Sequence, residues 1–149
     1  MGLDMYLKKQ IYIGAEYEHR EVKLTIEASV RGEPIKIDTS KVTYITERAG
    51  YWRKANAIHK WFVDNCQDGR DECQLSYVSR EQIRELLDLC KQVQADHSLA
   101  DKLLPTASGF FFGSTDYDEY YFHDIDQTIQ ILEAALSDDD GEYYYQSSW

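Results

Sequence analysis

Apolar and polar side chains alternate strictly along residues 22–30. A period of two is typical of a strand that buries one of its faces. The next four residues, Arg-Gly-Glu-Pro at 31–34, predict a turn, because glycine permits a positive φ and proline cannot donate to a strand ladder. Apolar positions resume directly after the turn, so we expect a hairpin. With further strands predicted at 3–13 and 42–46, the N-terminal third is predicted to be an antiparallel meander.

From about Gly50 the apolar positions follow a helical period instead. The apolar side chains that recur at intervals of three and four are Tyr51, Ala55, Ile58 and Phe62. They predict a helix that ends near Cys66. A second helix is predicted from Ser79 to about Ala95, because Ser79 and Gln82 have the spacing of a capping box.

The last third of the chain predicts one more helix and one more strand. A helix that begins at Asp116 or Asp118 carries an apolar stripe from Phe122 to Leu136, with steps of three and four. The aromatic ending at 142–149 predicts a final strand of the sheet. We therefore expect one α+β domain over residues 1–149. Its antiparallel sheet, the N-terminal meander plus the C-terminal strand, is expected to pack against about three helices.

The net charge of −11 is concentrated at one end of the chain. Residues 1–106 carry 16 basic and 17 acidic side chains, whereas residues 107–149 carry ten acidic side chains and no lysine or arginine. Because phosphates repel carboxylates, no direct nucleic-acid binding is expected through this acidic third, which is defined as residues 107–149. A basic protein surface is the expected partner.

The three cysteines, Cys66, Cys73 and Cys90, are odd in number and match no paired metal-binding spacing. Reduced thiols and a cytoplasmic location are therefore expected. No apolar run approaches the ~20 residues that span a bilayer, so no membrane partner is expected. Motifs for nucleotide binding, zinc proteases and catalytic serines are absent, and no cofactor or metal is expected.

An acidic and aromatic segment is the first candidate site. The residues predicted to bind a partner are Asp116, Asp118, Glu119, Tyr120, Asp124 and Asp126. Carboxylates spaced along a helix can imitate a row of phosphates and occupy a basic groove. Two alternatives stay open: a solvated helix face whose acids complement the helix dipole, and a metal site of His123 with carboxylates. The segment lacks the central glycine and the final glutamate of an EF-hand loop.

A second candidate site lies on the helix predicted from about Gly50. Its polar and aromatic side chains are Trp52, Arg53, Asn56, His59 and Lys60, with Asp4 as a neighbour if the first strand lies beneath. These groups could hold an anion or a base, with His59 as a general base. The alternative is that Arg53 and Lys60 pair with the acidic third.

Four stretches of the chain resemble a family of small bacteriophage and prophage proteins that have no assigned activity. The stretches are the opening MGLDMYL, GYWRKANAIHKWFV at 50–63, SGFFFGSTDYDEYY at 108–121 and the ending YYQSSW. The resemblance spans nearly the whole chain and implies a phage accessory protein that acts in the cytoplasm of a bacterial host. It carries no catalytic residue with it.

Two functional hypotheses follow. In the first, the protein binds a basic surface of a host or defence protein, as an inhibitor or a nucleic-acid mimic; the partner could itself bind nucleic acid. In the second, it binds a small ligand or nucleotide at the Arg53 and His59 helix and could be an enzyme.

Overall fold

The computed structural model describes residues 2–149. It contains a four-stranded antiparallel sheet that packs against helices. In chain order the elements are β1 (Asp4–Tyr12), β2 (Ala28–Val30), β3 (Glu33–Ile35), β4 (Tyr44–Arg53), α1 (Asn56–Cys66), β5 (Ser76–Val78), α2 (Arg80–Ala95), α3 (Ala100–Leu103), α4 (Glu119–Leu136) and β6 (Glu142–Ser148). The sheet order is β4-β1-β6-β5. The mixed fold, its antiparallel sheet and the C-terminal strand are confirmed.

The N-terminal strands are connected differently from the expected meander. Strand β1 pairs directly with β4, while β2 and β3 form a separate two-stranded hairpin. The turn at 31–34 is confirmed, but residues 22–27 lie outside any strand. No residue between 15 and 43 is buried, because the apolar side chains of this segment, which contains the β2–β3 hairpin, have no second layer to pack against.

The helix predicted from about Gly50 begins at Asn56 instead, and residues 50–53 complete β4. Pairing with β1 overrides the helical period, because Trp52 stands opposite Met5 and both side chains enter the core. Gly50 also allows α4 to approach β4 closely, since an added Cβ would lie 2.5 Å from a methyl group of Ile131. Trp52 and Arg53 are therefore strand residues rather than helix residues.

The two later helices begin as predicted. Ser79 accepts from the backbone N–H of Gln82 at 3.1 Å, and the Gln82 side chain accepts from the Ser79 N–H at 2.9 Å, which completes the capping box. Asp118 caps α4 by accepting from the N–H groups of Tyr120 and Tyr121, each at 3.1 Å. Such caps satisfy N–H groups that the helix leaves without partners.

The core lies between the helices and one face of the sheet. From β1, Met5 and Leu7 point to the helical side and are completely buried, whereas Tyr6 and Lys8 point to the other side and remain partly exposed. Tyr145 of β6 stacks on Phe62 of α1, with ring centroids 4.1 Å apart. The sheet thus has one covered face and one open face.

Candidate acidic cleft

A cleft of about 510 Å³ opens where the start of α4 meets the end of β4 and the start of α1. The acidic cleft, as we call it, has one wall made by α4 and by the loop at 105–118 that precedes it. The polar side chains of this wall are Asp116, Asp118, Tyr120, His123, Asp124 and Gln127. The opposite wall contributes Tyr51, Arg53 and Lys54.

Helix geometry decides which α4 side chains face the cleft. Tyr121, Ile125 and Thr128 are buried and define the core face of the helix. Side chains one position away, such as Tyr120 and Asp124, therefore lie at the edge of that face and point into the cleft. Tyr120 is 72% exposed, so its ring is free to meet a partner.

Asp124 is the most unusual group in the acidic cleft. The pKa of its carboxyl is raised to about 6, mainly because burial disfavours the charged form; His123 opposes this shift and the nearby Asp118 charge adds to it. Among residues 2–149, no hydrogen-bond donor contacts its carboxylate oxygens. Asp124 thus presents a partly buried negative charge that no group in the described chain neutralises.

The basic side chains across the cleft differ in how they are engaged. Arg53 pairs with Asp4 at 3.1 Å, as the strand register places them opposite each other. The Tyr51 hydroxyl also donates to Asp4 at 2.5 Å, and this bond, together with Arg53, lowers the pKa of that carboxyl. Lys54 is exposed at the rim. Neither Arg53 nor Lys54 forms an ion pair with Asp116, Asp118 or Asp124.

The structure divides the six residues predicted to bind a partner. Asp116, Asp118, Tyr120 and Asp124 meet in the acidic cleft. Glu119 and Asp126 lie on another side of α4; Asp126 accepts instead from the side chain of Gln94 at 2.8 Å.

The second predicted set does not form one surface. Trp52 is completely buried, and its indole donates to the Thr128 hydroxyl at 2.8 Å. Lys60 pairs with Asp64, four residues along the same helix, at 2.6 Å. The alternative prediction, that Arg53 and Lys60 pair with the acidic third, is wrong, because their partners are Asp4 and Asp64.

Asn56 anchors the loop that forms part of the cleft wall. Its amide nitrogen donates to the carbonyls of Phe112 and Ser114 at 2.9 and 2.8 Å, and its amide oxygen accepts from the N–H of Ala107 at 3.1 Å. Both amide protons of this buried side chain, and one of the two acceptor sites of its oxygen, are therefore engaged by the loop at 105–118.

His59 is buried in a polar chain of three side chains. Its Nδ1 lies 2.6 Å from the Tyr145 hydroxyl, and its Nε2 lies 2.8 Å from an Asp71 carboxylate oxygen. Asp71 also accepts from the indole of Trp149 at 3.0 Å. Burial raises the pKa of Tyr145 well above its usual value. Both ring nitrogens have protein partners, so this arrangement fixes β6 and the chain end against α1.

Other expected sites find little support in residues 2–149. No group of three or more histidine, cysteine or acidic side chains there lies close enough to hold a metal ion. The three cysteines are not joined in disulfides, and burial raises the pKa of Cys66 and Cys90 to about 12. No helix in the described part of the chain is long and apolar enough to cross a bilayer.

The sequence-based reasoning missed Tyr51, Lys54 and Gln127 as lining residues. Gln127 could have been found, because it follows Tyr120 and Asp124 at helical spacing. The sequence gives no comparable spacing for Tyr51 and Lys54, because only the packing of α4 against the sheet brings the end of β4 beside that helix.

We compared the chain with known protein families, proteins and structures. No protein family, curated protein or solved structure matches the chain significantly.

Proposed function

We propose that the protein binds a basic partner protein through the acidic cleft, where an arginine or lysine side chain of the partner lies among Asp116, Asp118 and Asp124. The observation that carries the proposal is the Asp124 carboxylate, which is partly buried without a cation or hydrogen-bond donor from residues 2–149. A carboxylate in that state costs free energy unless a cation joins it.

The wider charge distribution supports the same partner. Of the ten carboxylates in the acidic third, only Glu133 and Asp138 pair with a lysine among residues 2–149. The remaining negative field attracts a basic protein over a distance of about 8–10 Å in physiological salt. The exposed ring of Tyr120 at the cleft can also contact a bound guanidinium through its face.

The resemblance to phage proteins supports a partner in the bacterial host. The protein would act there as an inhibitor of a host or defence protein, by occupying a groove that otherwise holds nucleic-acid phosphates. This proposal keeps the partner's chemistry, a basic groove, and leaves its identity to experiment.

The test removes three charges from the cleft while it preserves side-chain shape. Asp116→Asn, Asp118→Asn and Asp124→Asn are combined, and Asn at position 118 still caps α4. Binding of an oligo-arginine peptide is measured by calorimetry at low salt. We expect the affinity to fall at least tenfold, because buried charge pairs contribute well over 1 kcal/mol.

A matched control removes three exposed charges elsewhere: Glu85→Gln, Asp139→Asn and Asp140→Asn. The net charge changes equally in both variants, so the control should lose less than threefold in affinity. Equal losses would show that the peptide senses only the total charge and would contradict a site at the cleft.

A further inference from the structure

Six tyrosines lie on the open face of the sheet, opposite the helices. They are Tyr6 and Tyr12 of β1, Tyr44 and Tyr51 of β4, Tyr77 of β5 and Tyr144 of β6. We call this surface the tyrosine face. Three of the rings are about half exposed: Tyr12 by 45%, Tyr44 by 53% and Tyr77 by 54%. Half of the twelve tyrosines of the chain therefore share one surface that no helix covers.

Strand register brings these rings together in cross-strand pairs. Tyr6 stands opposite Tyr51, and Tyr77 stands opposite Tyr144. Their ring centroids are 5.4 Å and 5.8 Å apart, respectively. A third pair, Tyr12 with Tyr44, lies at the far end of the sheet with a centroid distance of 5.3 Å. The ring planes of the three pairs are inclined to each other by 46°, 69° and 52°, respectively, so a base would stack on a single ring of a pair rather than on a common flat surface.

A row of cations crosses the sheet between the aromatic pairs. Lys8 stands opposite Arg48 on one side and Tyr144 on the other. Lys8 lies 6.0 Å from the Tyr6 ring centroid, and Arg48 lies 5.6 Å from that of Tyr51. Neither cation pairs with a carboxylate among residues 2–149.

The acidic third contributes little charge to this face. Its strand β6 presents Tyr144 and Gln146 here, and the one carboxylate, Glu142, accepts from the Tyr144 hydroxyl at 3.2 Å. Asp4 is engaged by Arg53. The tyrosine face thus carries three cations, Lys8, Arg48 and Arg53, and two carboxylates, Asp4 and Glu142. Its local charge is therefore slightly positive, whereas the whole chain has a net charge of −11.

We propose that the tyrosine face binds single-stranded nucleic acid, with bases stacked on the tyrosine rings and phosphates held near Lys8 and Arg48. Aromatic rings interleaved with cations on an open sheet satisfy both halves of a nucleotide strand, the flat base and the charged backbone. A duplex does not fit this chemistry, because its base faces are stacked inside the helix. This face adjoins the acidic cleft, with which it shares Tyr51, but the proposal does not rest on the function proposed there.

A second copy of the chain is a poorer occupant. Two tyrosine faces brought together would oppose their own rows of Lys8 and Arg48, and like charges across an interface are destabilising. A single-stranded polyanion gains from the same cations.

The test uses fluorescence anisotropy with a labelled oligodeoxythymidylate of about 12 nucleotides, within the roughly 4–16 that single-strand-binding domains cover. Tyr6→Leu and Tyr144→Leu should each weaken binding about tenfold, because leucine keeps apolar bulk but cannot stack. Tyr144→Phe keeps the ring and should bind within about twofold of the wild type. Phe110→Leu removes an aromatic ring that is 95% exposed but lies on the loop at 105–118, and it should change nothing.

Salt dependence tests the cation row separately. Lys8→Gln and Arg48→Gln should each reduce the slope of log affinity against log salt by about one. A duplex of the same length should bind much more weakly. The proposal is overturned if the wild type does not bind the oligonucleotide, or if the leucine variants bind it as the wild type does. It is also overturned if sedimentation shows a dimer that Tyr144→Leu dissociates.

Discussion

The acidic cleft and the tyrosine face are built in opposite ways. The carboxylates of the cleft come from one short segment, residues 116–124, in which Asp116 and the N-cap Asp118 precede α4 and Asp124 lies on its second turn. The tyrosine face draws one or two tyrosines from each of four strands that are far apart in the chain. The difference teaches that a local cluster shows the chemistry of a site, whereas a site assembled by strand pairing stays hidden until the register is known.

The largest effect is expected from a substitution of Trp52, whose side chain links the strand and the helix that carry the two surfaces. Trp52 of β4 is fully buried and donates to Thr128 of α4 at 2.8 Å. Trp52→Ala should lower the free energy of unfolding by about 3–5 kcal/mol, as measured by urea denaturation, because it leaves a large cavity. Both binding activities should fall together.

Trp52→Phe keeps most of the buried volume and serves as the milder variant. It should cost about 1–2 kcal/mol, mainly through the lost hydrogen bond to Thr128. If Trp52→Ala destabilises the protein by less than about 1 kcal/mol, β4 and α4 are not joined through this core.

A smaller change should separate the two surfaces. Asn56→Ala removes the three hydrogen bonds that hold the loop at 105–118, and we expect a loss of about 2 kcal/mol in the free energy of unfolding. Because that loop carries Asp116 and Asp118, binding of the oligo-arginine peptide should weaken. Oligonucleotide binding should stay within twofold.

The matched control for that change lies on the same helix. Asn65→Ala removes one partly buried hydrogen bond that an exposed side chain donates to the carbonyl of Trp61, and it should cost less than about 1 kcal/mol. Loss of both binding activities in Asn56→Ala, with the fold intact, would contradict the independence of the two surfaces.

The smallest expected effect concerns Asp124 alone. Its folded pKa of about 6 exceeds the usual 3.8, so the folded state holds the proton more tightly, and ionised Asp124 destabilises the fold above pH 6. Asp124→Asn should therefore raise the free energy of unfolding by about 1 kcal/mol near pH 7, since water reaches the carboxylate and reduces the full penalty. The gain should shrink as the pH falls through about 6 and should disappear near pH 2–3, below the unfolded pKa of 3.8, where the carboxyl is protonated in both states.

Thermal unfolding at both pH values checks this prediction. Asp126→Asn is the control, because that exposed carboxylate shares α4 but lies outside the acidic cleft. If Asp124→Asn destabilises the protein near pH 7, the carboxylate has a stabilising partner and the argument for an incoming cation fails.

Much of the local structure was predictable, for reasons that act over a few residues. Ser79 and Asp118 cap their helices because their side chains reach N–H groups two or three positions ahead. The helix expected from Gly50 was wrong at its start for the opposite reason. Residues 50–53 fit the helical apolar period that continues into α1, but β1, 49 residues earlier at the Asp4–Arg53 bond, supplies strand partners.

By itself, the sequence determined the helix caps, the turn at 31–34 and the concentration of acidic charge in the last third. These properties depend on side-chain spacing and on neighbours close in the chain. Only the tertiary structure decided that Arg53 pairs with Asp4, that His59 is buried against Tyr145, and that six tyrosines share one open face. Those outcomes depend on which distant strands pair and in which register, since a shift of one residue would send every strand side chain to the other face.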